Sequence, residues 1–494
     1  MSENTIIQIR NHGERLFSSL HREFYSNLTG LSKKSGIEEI FNSHREFGEP
    51  ELFHSIDEQV KAADESKAGL ELLRAFLADM YVMNRTSSQR DKILTTEARS
   101  VLKIGKKRIP YRSAHQKILN EPKKKRRDEI ENHRAEAQEK LIPHLLDMHY
   151  VSGGASENLG FSNYARLKEY TETQDTSALV KEAKLFIRDT EYVSKEMLKW
   201  FFVKHMELPL KDATSADVAF MLNSFELKGG FPDNEYIVCA ARVLDDSGLV
   251  NSSAVIADSE KRKGKSSQSY LFPISPPNEM EVSIFPAGGP EDYESYLSAL
   301  GSALSYAFTD RDDDFEYRCL RDPVQTEIFS ELFNNLIFER KWLDRYIDYE
   351  PSEDFYKLLF LRRLMSAREE AGRLIYEASL YSGESLDNLP DIYKEIMENA
   401  LHVRVNEGGF LSIRDIRKPM RSDSRFKAIL IEPSLTKYLQ ESFDEDWWRV
   451  KEAGDYLRNV WCEGGRISSD QIIETTGFNG TGASLRGIFE SELG

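Results

Sequence analysis

The sequence is poor in cysteine, in long apolar runs, in positive charge and in paired histidines, and each shortage removes a class of function. Cys239, Cys319 and Cys462 are the three cysteines in 494 residues. They are far apart, odd in number and without C-x-x-C spacing, which points to a reducing, intracellular setting. No apolar stretch approaches the roughly 18 residues of a membrane helix. The first residues, "MSENTIIQIRNHGERLF", carry no signal-peptide apolar core. The expectation is a cytoplasmic protein with no membrane partner. Sixty-six Lys and Arg stand against 83 Asp and Glu, a net charge of −17. That sign cannot neutralise phosphates, so nucleic acid is not an expected partner. Its ordinary consequence is solubility.

Catalytic signatures are scarce too. No two of the ten histidines stand at i, i+4; His144 and His149 are five apart and point to different helix faces. "GASLRG" and "SGGASENLG" hold serines outside any G-x-S-x-G context, and no cysteine has an identifiable histidine partner. "PAGGPEDY" is neither a P-loop nor a dinucleotide fingerprint. It reads as a strand-to-helix turn, with Pro290 near the first helical position and Glu291 and Asp292 in the first turn. Asp310, Asp312 and Asp314 in "DRDDDFEYR" match calcium-loop positions 1, 3 and 5. Phe315 and Arg321 then stand where glycine and glutamate are needed, so the run is expected to be a helix cap and turn.

What is present is the pattern of a helical globular protein. Hydrophobic residues are 40% and charged residues 30%, and a chain this long buries roughly three quarters of its unfolded surface. Residues 1–30, 55–85 and 120–150 carry 3.6-period apolar spacing. The basic run Lys123 to Arg127 is expected to be a solvated helix face. Residues 235–244, "EYIVCAARVL", fit a strand or a buried helix. Residues 279–289, "EMEVSIFPAGG", alternate as a strand does, and 259–270 read as a loop between two short β segments. In "FDEDWWRVKEAGDYLRNVW" the acids Asp444 to Asp446 suit a helix N-terminus, and the adjacent tryptophans suit core anchors. Gly464 and Gly465 end that segment. There is no internal repeat and no Ser/Gly linker.

One stretch is unusual. In "DYESYLSALGSALSYAF" (292–308), Tyr293, Leu297, Leu300, Leu304 and Phe308 form a buried helical stripe. Beside it run Ser298, Ser302 and Ser305, with Gly301 between.

The order of strand, Gly-Gly turn, this helix, "FTDRDDDFEYR" and "DPVQTEIFSELF" resembles the oligoendopeptidase and thimet-oligopeptidase group of zinc peptidases. "KRIPYRSAHQKILNEPKKKRRDEI" and "FDEDWWRVKEAGDYLRNVWCEGG" extend the resemblance over nearly the whole chain. It implies a mainly α, two-lobed ellipsoid with a central channel and a small β-sheet. An N-terminal helical region, 1–165, would pack without a flexible linker on a catalytic-domain-like region, 166–494. It also implies that "EMEVSIFPAGG" is a sheet edge that pairs with a peptide backbone.

In that group the first helix carries H-E-x-x-H and the second supplies a glutamate. Here the motif window is Ser298-Ala299-Leu300-Gly301-Ser302, a further histidine position is Ser305, and the glutamate survives as Glu327. Histidines at i, i+4 share a helix face and can reach one ion; serine hydroxyls replace them poorly for zinc. Without the ion, water is not activated, and without the glutamate the general base is gone. The segment aligned with the group's oxyanion tyrosine, Phe426 to Leu435, has Ile431 at that position, with Pro433 close by. The resemblance therefore implies a degenerate member with no catalytic residue and no zinc cofactor, which binds a peptide or protein partner in the channel. A structural subunit with a vestigial channel and an active oligopeptidase with an unconventional site are the alternatives. Glu327, left facing no dication, is expected near Ser298 or Ser302, or paired with an arginine.

Overall fold

The computed structural model describes residues 3–63, 67–172, 174–250, 254–347, 349–383, 388–411, 415–477 and 482–493. Helices dominate. The first, Glu3–Leu28, buries Ile9, Leu16, Leu20, Phe24 and Leu28, a stripe at helical spacing that explains why this stretch is a helix. The ambiguous segment at 235–244 resolves the same way. It lies in the helix Tyr236–Asp246, with Tyr236, Cys239, Ala240 and Val243 turned inward at i, i+3, i+4 and i+7. One apolar core contains side chains from Ile9 to Leu493. A smaller one lies under the hairpin Val101–Ile104 and Lys107–Pro110, where Leu102 and Ile109 pack with Ile118 and Ile130. Among the described residues no helix is long and apolar enough to cross a membrane.

The strand expected at 279–289 is present as Glu279–Ser283, and the loop before it does separate two β segments, Val255–Asp258 and Tyr270–Ser275. Its place in the sheet corrects the expectation of an edge. Glu279–Ser283 is the central strand, parallel to Val255–Asp258 and antiparallel to Tyr270–Ser275. Both of its edges are paired, so it has none to offer a peptide. Alternation reports which face of a strand is buried, and Met280, Val282 and Ile284 are indeed buried. It does not report which edges are paired.

Two helix readings are also corrected. The basic run opens the helix Lys124–Glu139 with Lys123, Lys125 and Arg126 exposed as expected, but Arg127 is buried. It bonds Asp217 at 2.9 Å through Nε and donates to the carbonyls of Glu121 and Pro122 at 2.8 and 2.9 Å. Lys124 reaches the same carboxylate at 2.9 Å. The partner lies 90 residues away, where local charge pattern cannot reveal it. In the tail, the acids precede a short 3-10 turn, Trp447–Arg449, and the helix itself begins only at Lys451. Val450 is extended between them. Trp447 and Trp448 are buried, as core anchors should be.

Candidate functional site

The helix Pro290–Ala307 is fixed at its start by the chain that enters it. Gly288 and Gly289 have φ near +84° and +83°, a conformation that suits glycine. The Asp292 carboxylate then accepts the backbone N–H groups of Ala287 and Gly288 at 2.6 and 3.0 Å. Burial pushes the Asp292 carboxyl up to about 6 in spite of those bonds. Tyr293, Leu297, Leu300 and Leu304 enter the core, as the stripe requires.

The opposite side faces a cavity of about 510 Å³. Three helices supply that part of its wall. Ser298, Ala299 and Ser302 come from Pro290–Ala307. Thr326, Glu327 and Ser330 come from Pro323–Asn334, which Asp322 caps by accepting the Val324 N–H. Arg421, Ser424 and Arg425 come from the start of Ser422–Ser442. Phe17, Leu20, Leu72 and Phe76 make an apolar wall elsewhere.

Gly301 lets the first two helices touch. A Cβ there would collide with the carbonyl oxygen of Phe329. At that separation Ser298 Oγ and Ser330 Oγ are 2.6 Å apart and share a hydrogen bond. Ser302 Oγ donates a long bond, 3.4 Å, to the Thr326 carbonyl. Ser305 turns back on its own helix, donating to the Ser302 carbonyl at 2.8 Å.

Glu327 is buried and paired with Arg421, one of the two outcomes its sequence context allowed. Arg421 Nε donates to its carboxylate at 2.7 Å, and Nη2 contacts the same oxygen more closely. Burial alone would raise the Glu327 carboxyl, but Arg421 and Arg425 outweigh it and hold the group below its ordinary value. Arg421 also reaches Asp415 at 3.3 Å, and Asp415 holds Arg417 at 2.8 Å. Arg425 lies 3.7 Å from Glu331 and 3.6 Å from Glu370, beyond hydrogen-bond reach of either at Nε. Burial pushes Glu331 up to about 7.

Ser298, Ala299, Ser302 and Glu327 are therefore brought to one cavity wall. Ile431 is not: it is buried and absent from the wall, whose residues on that helix are Arg421, Ser424 and Arg425. The arginines and Asp415 were missed at the sequence level. Their only signal is the density of basic residues in "RKPMRSDSR", just ahead of the helix.

These residues do not fit a zinc ion. The one carboxylate among the four positions is engaged by a guanidinium, and the hydroxyls of Ser298 and Ser302 already have partners. Among the described residues no group of three or more His, Cys, Asp or Glu could hold a metal. His21 lines the cavity, but burial and then Arg417 lower its pKa, and its Nδ1 has no partner.

No protein-family model matches the chain, and no curated protein matches it significantly. Solved structures do. A Bacillus anthracis str. Ames structure assigned to oligoendopeptidase F superposes with a TM-score of 0.65 at 15% identity, covering 95% of this chain and 83% of that one. PZ peptidase A with an inhibitor gives 0.67 at 14%, covering 96% and 87%. The fold is that of the oligoendopeptidases. A Pyrococcus furiosus carboxypeptidase shares it at a TM-score of 0.60 and 13% identity, covering 100% and 99%. At such identities the likeness is one of fold, and the oligoendopeptidase fold here carries a wall of serine, arginine and one engaged glutamate.

Proposed function

We propose that this chain is a catalytically inactive protein on the oligoendopeptidase fold, without zinc, which binds a peptide or a segment of a protein partner in its cavity, taken as the channel between two lobes. The observation that carries the reading is the Glu327–Arg421 pair. Arg421, held against Oε1 of Glu327, already neutralises that carboxylate and repels an incoming dication, and the pair is costly to separate. Ala299 offers no general base in place of the missing glutamate. Supporting it further, a cavity of about 510 Å³ falls within the usual range of ligand sites, so loss of chemistry does not entail loss of binding. Cys239, Cys319 and Cys462 are all free thiols, in keeping with a cytoplasmic setting.

A bound segment has little free backbone to pair with at the cavity. The strand nearest the cavity, Tyr270–Ser275, has its Leu271 carbonyl taken by Arg417 Nη1 at 2.7 Å. A bound segment is recognised through its side chains instead. Elemental analysis of protein purified from zinc-containing medium, together with cleavage of quenched fluorescent peptides, tests the inactive reading. Well under one zinc per chain and no cleavage are expected. Stoichiometric zinc with EDTA-sensitive cleavage would refute it.

A further inference from the structure

The wall that has no place for a metal is lined by more cations than carboxylates. Eight lysines and arginines and six carboxylates line the cavity, inside a chain whose net charge is −17. The excess is local. Lys168, on another part of the wall, is held by Asp79 and Glu172. In the 415–425 segment, Arg417, Lys418, Arg421 and Arg425 line the cavity with Asp415 and Glu327, while Glu331 and Glu370 stand 3.7 and 3.6 Å from Arg425 without lining it.

Two of those four cations are left with donors to spare. Lys418 is exposed toward the cavity, and among the described residues no acceptor is bonded to its ammonium. Burial, and then repulsion from Arg421, lower its pKa, and the more distant carboxylates of Glu172 and Asp79 offset this only in part. The Arg425 Nε is buried without a hydrogen-bond partner. Ser298, Ser302 and Ser330 line the same cavity, and the Ser298–Ser330 pair leaves one hydroxyl hydrogen to donate to a ligand. Cations with unfilled donors, next to hydroxyls and in a partly desolvated space, bind oxyanions strongly.

We propose that Lys418, Arg421 and Arg425, with the hydroxyls of Ser298, Ser302 and Ser330, form an oxyanion site that selects ligands bearing a carboxylate or phosphate group. This rests on the binding role proposed above and names the chemistry that the role recognises. The fixed cation of the wall is arginine and lysine, and its ligand is an anion rather than a nucleophilic water. The apolar wall at Phe17, Leu20, Leu72 and Phe76 accepts the uncharged part of the ligand.

The test uses the full chain and three probes: an apolar octapeptide with two glutamates, its glutamine counterpart and inorganic phosphate. Anisotropy of the labelled peptides is expected to give at least about tenfold tighter binding of the glutamate peptide, the size of one lost charge-assisted contact, with phosphate competing. Lys418→Met is expected to abolish that preference while leaving the melting temperature at or slightly above the parent's, because the ammonium removed has no bonded acceptor and is repelled by Arg421. The melt shows that any lost binding is not lost folding. Arg425→Gln is expected to weaken the preference as well. Equal binding of the two peptides, or a preference that survives Lys418→Met, overturns the oxyanion site and leaves the peptide reading standing. Lys418-dependent binding of phosphate by calorimetry, with neither peptide bound, upholds the oxyanion site and overturns the peptide reading. Binding of none of the three overturns both.

Discussion

Replacing Arg421 with methionine would leave the Glu327 carboxylate in the wall without its guanidinium. Breaking one partner out of a buried pair costs about 3–5 kcal/mol. Glu327 is 5% exposed at its side chain, but Arg421 is 31% exposed, so solvent screens part of the interaction and about 2–3 kcal/mol is the expected loss at pH 8. The loss should depend on pH with a definite sign. In the parent, Glu327 sits below its ordinary value, so its pair contributes fully above the unfolded carboxyl pKa and is lost only as pH falls through the lower folded value. In Arg421→Met, burial is opposed only by Arg425 and the more distant Lys418, and the carboxyl rises. The variant then takes up a proton on acidification and recovers stability. The gap between parent and variant should narrow from pH 8 to pH 5. A second change, Glu327→Gln, added to Arg421→Met should restore most of the loss at pH 8, since replacing both partners of a buried pair is close to neutral. Urea unfolding of the parent, both single variants and the double variant at four pH values completes the cycle. A single variant as stable as the parent at pH 8, or a gap that does not change with pH, would refute the placement of the pair.

Ser298→His, Ala299→Glu and Ser302→His together should not confer zinc binding, because Arg421 still occupies Glu327; adding Arg421→Met should produce a zinc-dependent rise in melting temperature. A zinc response in the triple variant alone would show that the pair yields readily to a metal. Gly301→Ala should destabilise the chain by about 1–3 kcal/mol or more, since a Cβ meets the Phe329 carbonyl; a neutral melt would mean that the two helices can part without cost. Asp292, pushed up to about 6, holds a proton in the folded state that the unfolded chain releases near pH 4. Its contribution to stability should fall as pH rises from about 4 to 6, and Asp292→Asn should remove that slope from a series of melts across the window.

The division between what could be read and what could not follows the range of each interaction. The Tyr293–Leu304 stripe and the serines beside it were legible because a helix repeats every 3.6 residues, and the residues that define its faces are neighbours in sequence; Phe308, expected to extend the stripe, caps the helix and is half-buried. Glu327 was legible through the resemblance, and its need for a partner through the energetics of a buried carboxylate. The identity of that partner was not, for Arg421 is 94 residues further on. Arg127 failed as a solvated cation for the same reason: Asp217 is close only after folding. Ile431 was assigned to the oxyanion position by alignment through a segment containing Pro433, and it does not line the cavity, to which that helix contributes Ser424 and Arg425 from its first turn. The order of strands in the small sheet depends on the loops and helices that cover it, and no local pattern encodes that.

The strand Tyr270–Ser275 shows what those covering contacts protect. Arg417 binds the Leu271 carbonyl, and Ser18, on the first helix, donates to the Ile274 carbonyl at 2.7 Å. Tyr25 of the same helix packs edge-on against Phe272 at 5.5 Å. An uncovered strand edge is a template on which a second chain can add and aggregate. Here the cover consists of side chains from two distant segments, so detaching the first helix or the 415–421 loop would bare an adhesive edge. Proteolysis or destabilisation confined to either segment should therefore show itself as loss of solubility before it shows itself as loss of helix.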